Sequence, residues 1–466
     1  MDIHTIIRGP ILNPRAGGRV DYIADGALAG DANGQIVFAG QWNALVAQLG
    51  SDAPRPRLAD GFILPPFLDA HIHIPQHPIR GQFMEGLDDV PAEGRLLWGL
   101  KRNVFPAEGR CSDESYTRAV VKAFLDDTLA KGVVGGAAYM TTHPAATRIA
   151  LEILPATWSV GLVLMNQNCP DYLRTDESTL SNDITALAVE FGSRLIVTDR
   201  FAVAVDSPLR RRAVALARQF DLRMQTHLNE QTSEKNLVEK TLYPSAGSYT
   251  EVYKRDGLLD RTPIVAHCVR MSASEFDLLA QHDAAIAHCP VSNTLLGSGV
   301  MPLDLVLDRR IPFALCTDVG ASPTTSLMTE MVQFLRVHAG RSSAATAEQA
   351  LHAATRGPAE ILGLSDQLGS CEPGMPMSFI EVARNGTDFR DAESAILDGL
   401  LSAREECRLY EDDAMRVDAM ETLARDGLQV GGAFTRLGND IEESARRLND
   451  AVRRVTLSGK MIWEAA

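Results

Sequence analysis

Two histidines one residue apart, His71 and His73, are the first residues of this chain whose types and spacing suit metal chemistry. Alternation along a strand points both imidazoles to the same side, where two neutral nitrogens can hold one divalent ion. An isolated pair of this kind is a weak signal, because histidines fall at such spacings by chance. Three further residues change the weighing. His227, His267 and Asp318 each stand at the end of a short apolar run later in the chain. A carboxylate together with imidazoles suits zinc, with Fe2+ as an alternative. Five such residues at run ends are hard to assign to packing alone.

The elements that must position these residues follow from the hydropathy rhythm. From Gly61 onward, short apolar runs alternate with amphipathic helical stretches. The runs are Phe67–His71, Gly132–Tyr139, Val160–Met165, Leu195–Thr198, Leu222–His227, Pro263–His267, Ala284–His288 and Pro312–Thr317. Strands alternating with helices pair in parallel, and eight such units predict an α/β fold of the (β/α)8 TIM-barrel kind. Periodicity alone also admits a doubly wound sheet. The barrel is favoured because His71, His73, Arg200, His227, His267 and Asp318 all sit at the C-terminal ends of runs or just beyond, and only a barrel converges those ends on one mouth.

Outside this region the pattern is different. Residues 1–60 read as short strands, with Asn33-Gly34 as a hairpin turn between Asp25–Ala29 and Gln35–Ala39, and a helical stretch over Trp42–Leu49. Met377–Val382 and Arg454–Ile462 read as strands that complete this layer as a small β-sandwich domain. The expected division is therefore residues 1–60 and 371–466 for the small domain and 61–370 for the barrel. A charged, helix-prone insert over about 390–452 is expected to cover the barrel or another subunit.

Composition narrows the function. The chain has 466 residues, 45% of them apolar, and a formal charge of −15, which repels phosphate backbones and argues against nucleic-acid binding. Seven cysteines without a Cys-x-x-Cys pair predict a reduced, cytoplasmic protein. Cys268 and Cys316, beside metal-site residues, are expected to be packing residues. No segment reaches the length of a membrane span, and Met1–His4 does not open a leader-like pattern.

The motifs Pro65–His73, Thr226–Glu230, Ala266–Cys268 and Thr317–Gly320 resemble those of the amidohydrolase superfamily, in its cytosine/guanine deaminase and chlorohydrolase branch. The chain is more closely similar to the guanine deaminases, through His71–Gln76, Phe105–Glu108, Pro170–Arg174, Asp199–Ala202, Ser248–Tyr253 and Ala287–Asn293, the last extended by Leu296–Gly299. The resemblance covers residues 60 to 370. It implies one metal ion and hydrolytic deamination, because strand four ends in Thr198-Asp199-Arg200 and offers no lysine to bridge a second metal. The pocket tryptophan usual in that family falls here on Gly99, with Trp98 one position earlier. Met375–Phe379 and the C-terminal helical insert also depart from the family pattern.

The resulting site assignment is specific. His71, His73, His227 and Asp318 are expected to hold one zinc ion, which lowers the pKa of a bound water toward about 7. Asp318 is placed to take the water's proton, and His267 to hydrogen-bond the nucleophile and the developing oxyanion. Whether His267 also coordinates the metal stays open at this stage. Glu230 is expected to shuttle protons to a ring nitrogen and to the leaving amine, the alternative being a solvated first-turn carboxylate. Arg200 suits a purine carbonyl, or else a structural ion pair with Asp199 or Asp206. Gln76 offers a donor and an acceptor to a ring edge, and Phe201 a stacking face. His288 is expected to be structural.

The expected activity is conversion of guanine to xanthine and ammonia. Alternatives are hydrolysis of 8-oxoguanine, a pterin or a triazine, a chlorohydrolase, or a catalytically inactive scaffold. The partners expected are a purine-like small molecule and, as the resemblance alone implies, a second copy in a homodimer.

Overall fold

The structure is a computed structural model that describes residues 2–50, 54–87, 90, 95–405, 407 and 431–465. Eight parallel strands form its centre: β1 Phe67–His73, β2 Val133–Tyr139, β3 Trp158–Leu164, β4 Leu195–Asp199, β5 Arg223–Leu228, β6 Ile264–His267, β7 Ala285–His288 and β8 Phe313–Leu315. They coincide one for one with the eight apolar runs. Every residue of β1 and β2 is buried, as expected when helices cover a parallel sheet from outside. Adjacency runs unbroken from β1 to β8.

The ring closes just past β8. The Asp318 N–H donates to the His71 carbonyl at 3.0 Å, and the His73 N–H donates to the Val319 carbonyl at 2.8 Å. The residues that join the last strand to the first are thus themselves residues of the candidate site. Helix entry points carry local signals readable in the chain. Asp113 and Asp206 accept N–H bonds from Tyr116 and Leu209, and Ser272 forms a reciprocal capping box with Glu275.

The second sheet is mixed and draws on both termini. Its order is Lys460–Glu464, Val452–Leu457, Phe379–Val382, Phe62–Leu64, Thr5–Pro14, Val20–Gly30 and Ile36–Gln41, with Arg57–Leu58 also paired to Thr5–Pro14. The hairpin turn at Asn33-Gly34 is present, with Gly34 at φ 75° and Leu28 opposite Ala39. The helix Trp42–Leu49 follows. One expectation needs correcting. Arg454–Ile462 is not a single strand but parts of two, turned by Ser458 and Gly459 at φ 49° and 78°. The Ser-Gly pair allows the left-handed turn that a continuous strand cannot contain.

Of the expected C-terminal insert, residues 406 and 408–430 lie outside the described residues. Its later part is the helix Gly431–Leu448, which lies against the barrel helix Leu327–His338, where Arg336 Nη2 donates to Ser444 Oγ at 2.8 Å. No described helix is long and apolar enough to cross a membrane.

Candidate active site

The mouth of the barrel gathers the residues singled out by type and spacing. His71 and His73 project from β1 toward the same carboxylate. His71 Nε2 lies 3.2 Å and His73 Nε2 3.1 Å from Asp318 Oδ1. His227 Nε2, from β5, lies 3.3 Å from His73 Nε2. Its Nδ1 donates to the Arg200 carbonyl at 2.6 Å, which leaves the Nε2 lone pair facing the cluster.

These separations suit a metal. Two ligands about 2.0–2.1 Å from one tetrahedral zinc are roughly 3.3 Å apart. Burial holds His71 down to about 4 and lowers His73 and His227, so all three are neutral and able to ligate. Burial opposes ionisation of Asp318, but the neighbouring imidazoles of His71 and His73 outweigh it and keep the carboxyl ionised.

His267 stands slightly apart. The potential ligand atoms of His71, His227, His267 and Asp318 all fall within 4.8 Å of one another. Yet His267 Nε2 is 4.0 Å from Asp318 Oδ2, against 3.1 Å for His73 from Oδ1. Contacts of 3.1–3.3 Å link His71, His73, His227 and Asp318, while His73 falls outside the group whose ligand atoms all lie within 4.8 Å of one another. His267 Nε2 instead faces Glu230 Oε2 at 3.7 Å. Burial raises the Glu230 carboxyl above its ordinary range. It is 4% exposed and is not a solvated first-turn carboxylate.

Backbone conformation helps to aim these groups. Asn229, His267, Cys268 and Asp318 have φ of 53°, 75°, 52° and 51°. Each left-handed residue other than glycine costs roughly 1–2 kcal/mol, and such residues cluster where a site demands a particular direction. After Asn229 the chain is pinned by Glu234, whose Oε2 accepts the Glu230 N–H at 3.0 Å and whose Oε1 accepts the Tyr249 hydroxyl at 2.9 Å. That bond explains what Tyr249, in the Ser248–Tyr253 motif, does locally.

A cavity open to solvent lies over the cluster and is lined by His73, Gln76, Arg200, Phe201, His227, Glu230, His267 and Asp318. Phe83, Leu96, Leu100, Leu296 and Ala321 supply an apolar wall, which sequence reasoning had missed. Arg200 pairs with neither Asp199 nor Asp206. Asp199 holds Arg210 at 2.7 Å, and Asp206 caps the helix that follows. The partner of Arg200 is Glu108, whose two oxygens both accept from Nη1, at 2.7 and 2.8 Å. Gln76 Nε2 donates to the same Glu108 at 2.9 Å, while its Oε1 accepts the Gly320 N–H at 3.3 Å. Glu108 had appeared only inside the Phe105–Glu108 motif. Nothing local signals its pairing with residues 32 and 92 positions away.

Trp98 is 57% exposed and does not line the cavity. The aromatic on that side is Phe83, whose ring fills the space where a Cβ on Gly99 would stand. His288 is buried with its Nε2 3.2 Å from His338 Nε2, away from the cluster, and Cys268 and Cys316 are fully buried.

The family model for the amidohydrolase family matches residues 62–419. The chain belongs to the amidohydrolase family. Among its relatives in that family is the guanine deaminase of Escherichia coli K12, 30% identical over 79% of this chain and 83% of the relative. A probable guanine deaminase of Deinococcus radiodurans is 31% identical over 75% and 81%. Solved structures agree on the amidohydrolase fold. Guanine deaminase from Clostridium acetobutylicum, with guanine in its active site, superposes with a TM-score of 0.76 at 21% identity, over 98% of this chain and 100% of that one. An atrazine chlorohydrolase from Arthrobacter aurescens complexed with zinc gives 0.72 at 18%, over 99% and 95%.

Proposed function

We propose that this amidohydrolase is a zinc-dependent aminohydrolase that converts guanine and water to xanthine and ammonia. The observation that carries the reading is the facing pair Glu230 and His267, 3.7 Å apart, in one cavity with the imidazole–carboxylate cluster and with Arg200 and Gln76, which Glu108 holds from behind. The guanine deaminases among its relatives support the substrate.

His71, His73, His227 and Asp318 are the residues that would hold the ion. A bound zinc ion supplies Lewis acidity and makes water a usable nucleophile near neutral pH. The protein does the rest. Arg200 presents its remaining N–H groups to the purine carbonyl, and Gln76 meets a ring edge. Phe201 and the apolar wall hold the planar base and exclude water. Asp318 takes a proton from the attacking water. Glu230 gives its proton to the ring nitrogen beside the reacting carbon, takes up the hydroxyl proton of the adduct and passes that one to the departing amine, and the proton held by Asp318 returns to Glu230 to close the cycle. His267 steadies the developing oxyanion.

Ammonia release tests this reading on purified, zinc-loaded protein offered guanine, 8-oxoguanine, adenine, cytosine, a pterin and an aminotriazine. Guanine should give the highest kcat/KM, with xanthine as the product in a 1:1 ratio to ammonia. Preference for a triazine or a pterin would replace guanine as the substrate, and no release from any member of the panel would return the chain to a scaffold. A cytoplasmic homodimer belongs to the same proposal, and sedimentation of the full chain checks its oligomeric part.

A further inference from the structure

One short segment after β7 contacts three side chains with proposed parts in the reaction, Asp318, His267 and Glu230. It comprises the helix Pro290–Leu295 and the turn through Ser298. Ser292 Oγ donates to Asp318 Oδ2 at 2.5 Å. Asn293 Oδ1 accepts from His267 Nδ1 at 2.9 Å. Ser298 Oγ donates to Glu230 Oε1 at 2.8 Å. The segment is held from both sides. Glu330 Oε2, on the helix Leu327–His338, accepts the Val291 N–H at 3.0 Å, and the Ser298 N–H donates to the Asn293 carbonyl at 2.8 Å. Ser292, Asn293 and Ser298 are each no more than 1% exposed, so none of these bonds competes with bulk water.

We propose that residues 292–298 form a single positioning clamp, in which Ser298 assigns the exchangeable proton of Glu230 to Oε2, the oxygen that faces His267.

The bond pattern supports that assignment. Gln231 Nε2 donates to Ser298 Oγ at 3.4 Å and to the Leu296 carbonyl at 3.1 Å. With a donor already directed at its oxygen, the Ser298 hydroxyl turns its hydrogen to Glu230 Oε1. An oxygen that already accepts a hydroxyl hydrogen is the poorer site for the carboxyl proton, so Oε2 carries it, 3.7 Å from His267 Nε2. Asn293 acts alike on His267. Its carbonyl oxygen cannot donate, so Nδ1 keeps its hydrogen and Nε2 is the nitrogen that exchanges with the reacting groups.

The inference rests on the proposed roles of Glu230 and His267, and the test separates the two. Wild type, Glu230→Gln, Ser298→Ala, Ser298→Thr and the double variant Glu230→Gln/Ser298→Ala are assayed zinc-loaded with guanine, with metal per chain measured on each preparation. Ser298→Ala should lower kcat about 10–100-fold, the usual cost of losing a bond that orients a reacting side chain, with KM changed less than about threefold and metal content unchanged. Ser298→Thr, which keeps the hydroxyl, should recover most of the loss. In the Glu230→Gln background the Ala substitution should add nothing. An unchanged kcat in Ser298→Ala, a loss taken in KM, or an equal loss in both backgrounds would overturn the clamp. Normal turnover by Glu230→Gln would instead overturn the underlying reading. If Ser298→Ala does not fold, Ser298→Cys, of similar shape but a poor donor, carries the same expectations.

Discussion

The two sides of the cavity are built differently. The imidazole–carboxylate floor comes from the ends of β1, β5, β6 and β8, and its backbone is fixed by the bonds that close the barrel, such as His73 N–H to Val319 O at 2.8 Å. The opposite wall comes largely from the long excursion between β1 and β2. That excursion carries Gln76, Phe83, Leu96 and Leu100, with Glu108 bonded behind Gln76, while Arg200 and Phe201 come from just past β4, and Leu296 and Ala321 from the segments after β7 and β8. The floor is therefore tied to the geometry that makes a barrel at all. The wall depends on side-chain pairings such as Arg200–Glu108, which can change without disturbing the ring of strands. Under the proposed roles, chemistry and recognition are separable because they are held by different kinds of structure.

The largest effects should come from the floor. Asp318→Ala removes the carboxylate shared by His71 and His73 and leaves those imidazoles without their common partner. Bound zinc should fall from about one per chain to a small fraction, and ammonia release should drop below detection. Elemental analysis and turnover on one preparation check this. Two equivalents of zinc in the wild type, both needed for activity, would break the mononuclear reading.

Glu230→Gln should come next. It keeps shape and leaves every ligand in place, so the zinc content should stay at the wild-type value. Turnover should fall about 10²–10⁴-fold, because a positioned proton donor is lost while substrate contacts remain. Loss of metal in this variant would make Glu230 a support of the floor rather than a carrier of protons.

Legibility in the sequence follows the same division. All eight barrel strands, and the floor residues at or just past their ends, could be read because strand ends are local. An apolar run ending in His227 or His267 announces both the element and the direction it faces. The wall was readable only in part. Gln76, Arg200 and Phe201 lie next to strand ends, but Glu108 lies 92 residues from the arginine it neutralises, and no period or spacing joins them. Ser292, Asn293 and Ser298 stood in a visible motif, yet their partners are set by how β7 and β8 meet β5 and β6. The hairpin at Ser458-Gly459 was missed for a different reason: the apolar pattern on both sides of it outweighed a two-residue turn signal.

Glu108 gives a test of the wall. Glu108→Gln leaves the Arg200 guanidinium, 3% exposed, without its counter-charge. Removing one member of a buried ion pair costs about 3–5 kcal/mol of stability, measurable as a lower urea midpoint. Zinc content should be unaffected, since no floor residue bonds to Glu108 in the described contacts. KM for guanine should rise, by about tenfold for one lost hydrogen-bond geometry, with a smaller change in kcat. A fall in kcat with constant KM would tie Glu108 to the floor and blur the division.

The smallest effects separate two neighbours on one short helical stretch. Leu96 and Leu100 are four residues apart and share a face, which lines the cavity, whereas Trp98 lies between them in sequence and 57% exposed. Phe83 already occupies the space beside Gly99, so the aromatic on this side of the cavity is Phe83 and not the indole. Leu100→Ala should therefore raise KM a few-fold by removing buried apolar contact worth about 1–2 kcal/mol at most to a flat ligand. Trp98→Ala should leave kcat and KM within about twofold and stability within about 0.5 kcal/mol, as for an ordinary surface position. A rise in KM on truncating Trp98 larger than on truncating Leu100 would mean that the indole swings over the base when guanine binds. Recognition would then depend on closure of this stretch, and the wall would be a moving element set against a fixed floor.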